Sequence, residues 1–163
     1  MVDTAIHEIN AFLLTNVVNR TIVSESYETE RGRVYENWNG AAAVLELGEG
    51  TLTVALYTAG GCEPDPYVAI SWGGVTRWDV GGFGEVGPFF AGSLGVDAPA
   101  WLDFHEANDT TTLPNLPRVI RGVWFNNSVC VLDFGPLIVR MSAGMADDVS
   151  PAEPMIKFFV QRG

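Results

Sequence analysis

The hydrophobic pattern of the chain changes from a helical period to a period of two near residue 18, and this change limits the fold. Apolar residues recur at helical spacing before that point and predict one amphipathic helix over about residues 4–18: Ile6, Ile9, Phe12, Leu13 and Val17. Beyond it, short runs of β-branched and aromatic residues are separated by Gly, Asn, Asp and Pro. This is the pattern of strands joined by tight turns, so the chain is expected to be mainly β.

The turn signals divide the rest of the chain into an antiparallel meander with two interruptions. Gly48-Glu49-Gly50 has the length of a hairpin connection, so the runs on either side are expected to pair. Two segments without alternation, about 81–99 and 106–117, are predicted to be long loops that either cover a site or are simple insertions. Strands are predicted at Ser24–Tyr27, Arg33–Trp38, Ala42–Leu47, Thr51–Ala59, Tyr67–Trp72, Val75–Val80, Arg118–Phe125, Val129–Phe134, Leu137–Ser142 and Ile156–Gln161.

Several of these strands are apolar on both faces, which bears on how the sheet closes. The 163 residues, 47% of them hydrophobic, are expected to form a single domain over 1–163. A meander closed or nearly closed into a small barrel, with the helix over part of its outside, would bury both faces and remove exposed edges. The alternative is an α+β fold in which an open antiparallel sheet is packed by the helix.

Charge and cysteine content exclude several classes of function. Twenty acidic residues against nine basic ones give a net charge of −11, which disfavours nucleic-acid and membrane partners. No run approaches the ~20 apolar residues of a membrane span, and the first residues do not resemble a signal peptide, so a cytoplasmic location is predicted. Cys62 and Cys130 are too few and too distant for a zinc site and are expected to be reduced. No nucleotide or phosphate motif is present, so neither metal nor cofactor is expected.

Titratable groups are concentrated in Trp101-Leu102-Asp103-Phe104-His105-Glu106, the first candidate for catalysis. On a strand, Asp103 and His105 project to the same side, where the carboxylate can orient the imidazole and raise its basicity. Such a pair suits proton transfer to a bound substrate. The competing interpretation is a histidine on a solvated surface at the start of a polar loop.

Arginines inside apolar strands form a second candidate set: Arg118, Arg121 and Arg140. Such an arginine either pairs with an acid, for which Asp133 is the natural partner, or presents its guanidinium to a ligand carboxylate or enolate. Arg121 shares a predicted strand face with Val119 and Val123 and is expected to point inward as a catalytic group. A buried structural ion pair is the alternative.

Aromatic side chains in or beside strands form the third set and are candidate substrate-binding residues: Tyr57, Trp72, Trp78, Trp101 and Trp124. Rings of this kind line apolar small-molecule pockets. They also fill ordinary cores, and side chains alone can fill a small barrel.

Three functions are consistent with these features. The first is a cofactor-independent β-barrel that binds an apolar small molecule and acts as an isomerase or cyclase. The second is an acidic, non-enzymatic protein of the immunity or inhibitor type that binds a basic protein partner through acidic side chains. Its predicted face carries Glu25, Glu28, Glu30, Glu36, Glu46 and Glu49. The third is an assembly subunit, a homodimer formed through an edge strand at Ile156–Val160.

Overall fold

The computed structural model describes residues 2–31, 39–59, 65–81, 89–92, 104–107, 118–126, 129–143 and 154–161. Within them one helix, α1 (Val2–Asn16), precedes the strands. The strands are β1 (Thr21–Ile22), β2 (Ser24–Arg31), β3 (Asn39–Glu46), β4 (Thr51–Ala59), β5 (Asp65–Trp72), β6 (Val75–Gly81), β7 (Phe89–Gly92), β8 (Phe104–Glu106), β9 (Arg118–Val119), β10 (Gly122–Asn126), β11 (Val129–Asp133), β12 (Leu137–Ser142) and β13 (Met155–Gln161). The predicted strand at Arg33–Trp38 lies outside the described residues.

The strands form two large antiparallel sheets and one short ribbon. One sheet has the order β2-β3-β4-β5-β6, the other has the order β7-β10-β11-β12-β13-β8, and β1 pairs with β9. The prediction of a mainly β, antiparallel fold with one N-terminal helix is confirmed. Among the described strands no sheet closes on itself, so the architecture agrees with open sheets packed by a helix and not with a closed barrel.

Glycines with positive φ make the tight hairpins possible. Gly48 has a φ of 78°, and the Leu47 N–H donates to the Gly50 carbonyl at 2.9 Å, which closes the predicted β3–β4 hairpin. Gly73 and Gly74 have φ values of 61° and 83°, as both central residues of a type I′ turn require. The local sequence therefore sets the register of the β3–β4 and β5–β6 hairpins.

The two large sheets face each other across one hydrophobic core. Along β3, β4 and β5, buried side chains alternate with half-exposed ones, so one face of this sheet points into the core. The six-stranded sheet supplies the opposite wall. The two walls contribute Ala43, Leu45, Leu52, Val54, Leu56, Val68 and Ile70 from one sheet, and Val123, Phe125, Cys130, Leu132, Val139 and Met141 from the other.

Helix α1 lies along one side of this core, where it contacts β6 and β7, the edge strands of the two sheets. Its predicted apolar stripe is confirmed, because Ile9, Leu13 and Val17 are fully buried. The Phe12 ring makes edge contacts with Trp72 and Trp78, each with ring centroids 5.4 Å apart. We call this junction the helix seam.

On the opposite side, β2 comes close to β13 without pairing with it. Here the Tyr27 and Phe158 rings meet edge to face with centroids 5.4 Å apart. We call this second junction the open seam. Within the described strands it has neither a helix nor a hydrogen-bonded ladder to join the sheets.

Two predicted elements need correction. The segment 81–99, predicted as a loop, contains β7, which pairs with β10 from Phe89↔Phe125 to Gly92↔Gly122. The predicted strand at Arg118–Phe125 is divided into β9 and β10, because the chain changes its hydrogen-bonding partner there. The Ile120 N–H donates to the Arg20 carbonyl, whereas the Arg121 N–H donates to the Asp133 carbonyl. The alternation of apolar residues reveals neither the added strand nor the division, since both depend on partners distant in sequence.

The predicted C-terminal edge strand is partly covered. On β13, β8 pairs with residues Phe159 to Gln161, so only the N-terminal part of β13 keeps a free edge among the described strands. A homodimer through this strand stays a prediction.

Candidate functional site

The open seam contains a cleft with a volume of about 710 Å³. One wall is β2 and the other is the N-terminal part of β13, with Glu106 of β8 beside it. We call it the seam cleft. Its lining comprises Glu25, Ser26, Tyr27, Glu28, Thr29, Glu106, Pro154, Met155, Ile156, Lys157 and Phe158.

Among the described strands, β2 and the N-terminal part of β13 keep unpaired edges along the two walls of the seam cleft. In an antiparallel ladder the backbone groups of successive residues point alternately to one neighbouring strand and to the other. The Leu47 N–H donates to Gly50 of the β3–β4 hairpin, and this fixes the alternation along β3. By the register of β2 with β3, the backbone groups of Glu25, Tyr27 and Thr29 then point away from β3. On β13, pairing with β8 stops where the Ala107 N–H donates to the Phe158 carbonyl at 2.8 Å. The cleft therefore offers main-chain donors and acceptors as well as side chains.

Glu25 and Tyr27 line the seam cleft and form a polar cluster with Arg118. Glu25 is placed on the core side of β2 by its register opposite Leu45. The guanidinium of Arg118, on β9, donates to Oε1 of Glu25, and the Tyr27 hydroxyl donates to Oε2 at 3.1 Å. The side chains of Arg118 and Glu25 are only 9% and 12% exposed. Because neither charge is accessible to water, breaking this ion pair would leave an unpaired buried charge, so the two side chains stay together.

The electrostatics of this cluster favour binding over proton transfer. Burial, followed by the charge of Glu25, raises the pKa of the Tyr27 phenol well above its ordinary value of 10.0. Tyr27 therefore remains a neutral hydrogen-bond donor at physiological pH. At the rim, Lys157 lies 3.8 Å from Glu106, and both side chains are solvent-accessible, so this pair adds little rigidity.

The three predicted catalytic residues do not form a described site. His105 lies exposed on β8 opposite Val160, and Asp103 lies outside the described residues. Arg121 is exposed and not directed inward as predicted, because the chain leaves the ladder between β9 and β10 and the alternation restarts at Gly122. Its side chain passes over Gly135, where an added Cβ would lie 2.8 Å from the Arg121 Nε.

The predicted substrate-binding aromatics are distributed over separate parts of the fold. Trp72 and Trp78 belong to the helix seam, where the Trp78 Nε1–H also donates to Glu8 at 3.2 Å. Trp124 is buried in a second cluster with Val131 and Ile138. Tyr57 lies half-exposed on the five-stranded sheet, and Trp101 is outside the described residues. The described members thus serve packing or separate surfaces and do not share one pocket.

Glu25 and Arg118 belonged to different predicted sets, and the sequence does not connect them. Asp133 was the predicted partner of the arginines; the structure shows Arg118 paired with Glu25, and the Asp133 carboxylate accepts the Gly135 N–H at 2.8 Å in the turn after β11. The available signal was the alternation of β2, which places Glu25 on the same face as Tyr27. A glutamate at an inward position requires a partner, although alternation does not say which one.

Three further observations concern metal ligands, a cysteine thiol and membrane-spanning helices. In the part of the chain that the structure describes, no three His, Cys, Asp or Glu side chains gather as metal ligands would. Cys130 is a free, fully buried thiol, and burial raises its pKa, which leaves it unreactive as a nucleophile. Among these same residues, no helix has the length and apolar character that crossing a membrane requires.

Comparison of the chain with protein-family models, curated proteins and solved structures gave no match. The arguments for function therefore depend on the geometry of the sites.

Proposed function

We propose that the protein binds a small amphipathic molecule in the seam cleft without a cofactor. The observation that carries the proposal is a cleft of about 710 Å³ that is lined by Glu25, whose carboxylate is held by the buried Arg118. Sites for small molecules have volumes of roughly 300–1,000 Å³, with apolar walls and a few well-placed polar groups. The seam cleft lies within this range of volume, and its lining mixes apolar side chains such as Ile156 and Phe158 with polar ones such as Glu25.

The two kinds of lining residue indicate what such a molecule would look like. An apolar body would pack against the Tyr27 and Phe158 rings and the side chain of Ile156. A polar end would meet the rim, where Glu28, Glu106 and Lys157 are accessible to water. The proposal thus keeps the small-molecule partner predicted from the sequence but moves it from the interior of a barrel to the seam between two sheets.

Catalysis is not part of this proposal. Isomerase or cyclase activity stays a prediction, because Tyr27 keeps its proton and Glu25 has both oxygens engaged by donors. A cytoplasmic location likewise stays a prediction.

Binding is tested with Nile red, a neutral apolar dye whose fluorescence rises in apolar surroundings. Met155→Asp places a carboxylate on the cleft wall at a side chain that is 42% exposed, so the fold should tolerate it. We expect the dye Kd to rise by about tenfold, since the new charge stays hydrated and competes with an apolar ligand. The matched control is Val75→Asp, at a 65% exposed side chain in the β5–β6 hairpin outside the cleft.

Native mass spectrometry after incubation in an extract of the source organism gives the second readout. We expect an adduct of small-molecule mass on the wild-type protein and on Val75→Asp, and its loss from Met155→Asp. If Met155→Asp keeps both the adduct and the dye affinity, or if both variants lose them equally, binding does not occur in the seam cleft and the proposal is wrong.

A further inference from the structure

The face of the five-stranded sheet that points away from the core carries a row of alanines between two acids. The register aligns Glu28, Ala42, Ala55, Ala69 and Asp79 directly across β2, β3, β4, β5 and β6. Four strand spacings of about 4.8 Å separate the ends of this row, so the two carboxylates lie roughly 19 Å apart. We call this surface the outer sheet face.

Tyrosines form a ridge along one side of the alanine row. Tyr57 and Tyr67 occupy the adjacent row, and their rings stack with centroids 5.1 Å apart and planes 11° from parallel. The Tyr57 hydroxyl donates to Asp79, which ties the ridge to the acid at the end of the row. The pKa of Tyr57 is raised above its ordinary value of 10.0, first by burial and then by this hydrogen bond. Tyr57 therefore keeps its proton, and the stacking and the hydrogen bond hold its ring in place.

The depression beside the ridge is shallow. It has a volume of about 80 Å³ and lies among Gly40, Ala42, Ala55 and Tyr57, with Glu28 at its edge. This is far below the roughly 300 Å³ of a small-molecule site. A broad, nearly flat surface with half-exposed tyrosines instead has the shape of a protein–protein interface, in which Tyr is enriched among the residues that contribute most to binding.

Charge on this surface has one sign. Among its described side chains, every charged group is a carboxylate: Glu28, Glu46 and Asp79. Arg77 of β6 lies over the Phe12 ring, on the helix side of the sheet and not on its outer face. The outer sheet face is thus an apolar and aromatic centre with an acidic rim, on a chain whose net charge is −11.

We propose that the outer sheet face is the docking surface for a basic protein partner that presents arginine. A guanidinium stacks on an aromatic ring and pairs with a carboxylate at the same time, and the ridge of Tyr57 and Tyr67 beside Asp79 offers both. The alanine row lets the backbone of the partner come close to the sheet. Rim carboxylates attract the partner and set its orientation, while the tyrosines provide the contact area.

The test measures the fluorescence anisotropy of a fluorescein-labelled octa-arginine peptide at an ionic strength of about 0.1 M, where the Debye length is about 10 Å. The variant Glu28→Gln/Asp79→Asn removes the acids at both ends of the alanine row. Its control, Glu49→Gln/Glu106→Gln, removes the same charge from the β3–β4 hairpin and from β8. We expect the Kd to rise at least about fivefold in the first variant and less than about twofold in the control, because screening limits distant charges.

A second variant covers the case in which the first one is poorly folded. Ala55→Arg adds a cation at a half-exposed position in the centre of the row and should weaken binding as strongly, with an unchanged melting temperature and circular dichroism spectrum. Equal weakening in the test and control pairs would show attraction to net charge alone and would overturn the proposal. Failure of the wild-type protein to bind the peptide, or full binding by Ala55→Arg, would also overturn it.

Discussion

The helix seam and the open seam join the same two sheets by different means. At the helix seam, α1 inserts Leu13 into the core, and Phe12 bridges Trp72 and Trp78. At the open seam, a single ring contact between Tyr27 and Phe158 is followed by the seam cleft and a buried ion pair. One junction is closed by apolar packing, and the other presents polar groups and strand edges that no other described strand pairs with.

This difference shows how a sheet fold can avoid barrel closure without leaving its core open. The helix seals one side with side chains alone, which needs no hydrogen bonds between the sheets. At the other side, the buried Glu25 carboxylate is tolerated because Arg118 and Tyr27 both donate to it. Stability should therefore be most sensitive to substitution at the helix seam, and binding most sensitive at the open seam.

The largest effect is expected when the helix seam loses its central contact. Leu13 is fully buried in the core, so Leu13→Ala should lower the free energy of unfolding by about 4 kcal/mol through lost burial and a residual cavity. Urea denaturation followed by tryptophan fluorescence measures this change.

The adjacent residue provides the matched control. Leu14 is 50% exposed on the same helix, and Leu14→Ala should change the free energy of unfolding by less than about 0.5 kcal/mol. Similar losses for both variants would mean that α1 does not seal the core with one face, and the contrast between the seams would disappear.

A smaller loss is expected when the ion pair of the open seam is broken. Arg118→Met leaves the buried Glu25 carboxylate without its cation and should cost about 3 kcal/mol in unfolding free energy. Adding Glu25→Gln to this variant should recover part of the loss, because no charge then remains buried. Thermal and urea unfolding of the single and double variants measure both steps.

An exposed pair elsewhere in the chain tests whether burial is the cause. Arg20 lies 3.3 Å from Glu49, with side chains 44% and 67% exposed, so Arg20→Met should cost less than about 1 kcal/mol. If Arg118→Met lowers the free energy of unfolding no more than Arg20→Met does, burial does not strengthen the Glu25–Arg118 pair beside the seam cleft.

The sequence was informative where structure depends on near neighbours. The stripe of Ile9, Leu13 and Val17 predicted α1, and β4 and β12 begin and end where alternation placed them, at Thr51–Ala59 and Leu137–Ser142. Tight turns were equally predictable, since the adjacent glycines Gly73 and Gly74 can adopt the positive φ values that a two-residue hairpin turn requires. Local period and turn chemistry are properties of the chain itself.

Contacts between distant segments could not be predicted in this way. Glu25 and Arg118 are separated by 93 positions, and their pairing depends on β1 and β9 forming a two-residue ribbon that alternation does not reveal. β7 was missed because Phe89–Gly92 is short and follows a glycine-rich run. The seam cleft arises between elements, so no single segment carries its signature.

The pH dependence of stability gives the smallest effect and tests the open seam directly. Because the Tyr27 pKa is raised by burial, the folded state keeps this proton at a pH where the unfolded chain, with the ordinary value of 10.0, loses it. The contribution of Tyr27 is thus fully present below pH 10 and declines above it, by about 1.4 kcal/mol per pH unit. Urea unfolding between pH 8 and about 11 should therefore show a smaller decline for Tyr27→Phe, which has no phenol to titrate. Equal slopes for the two proteins would mean that water reaches the Tyr27 hydroxyl through the seam cleft, and the polar cluster would then belong to the solvent side of the seam and not to its buried wall.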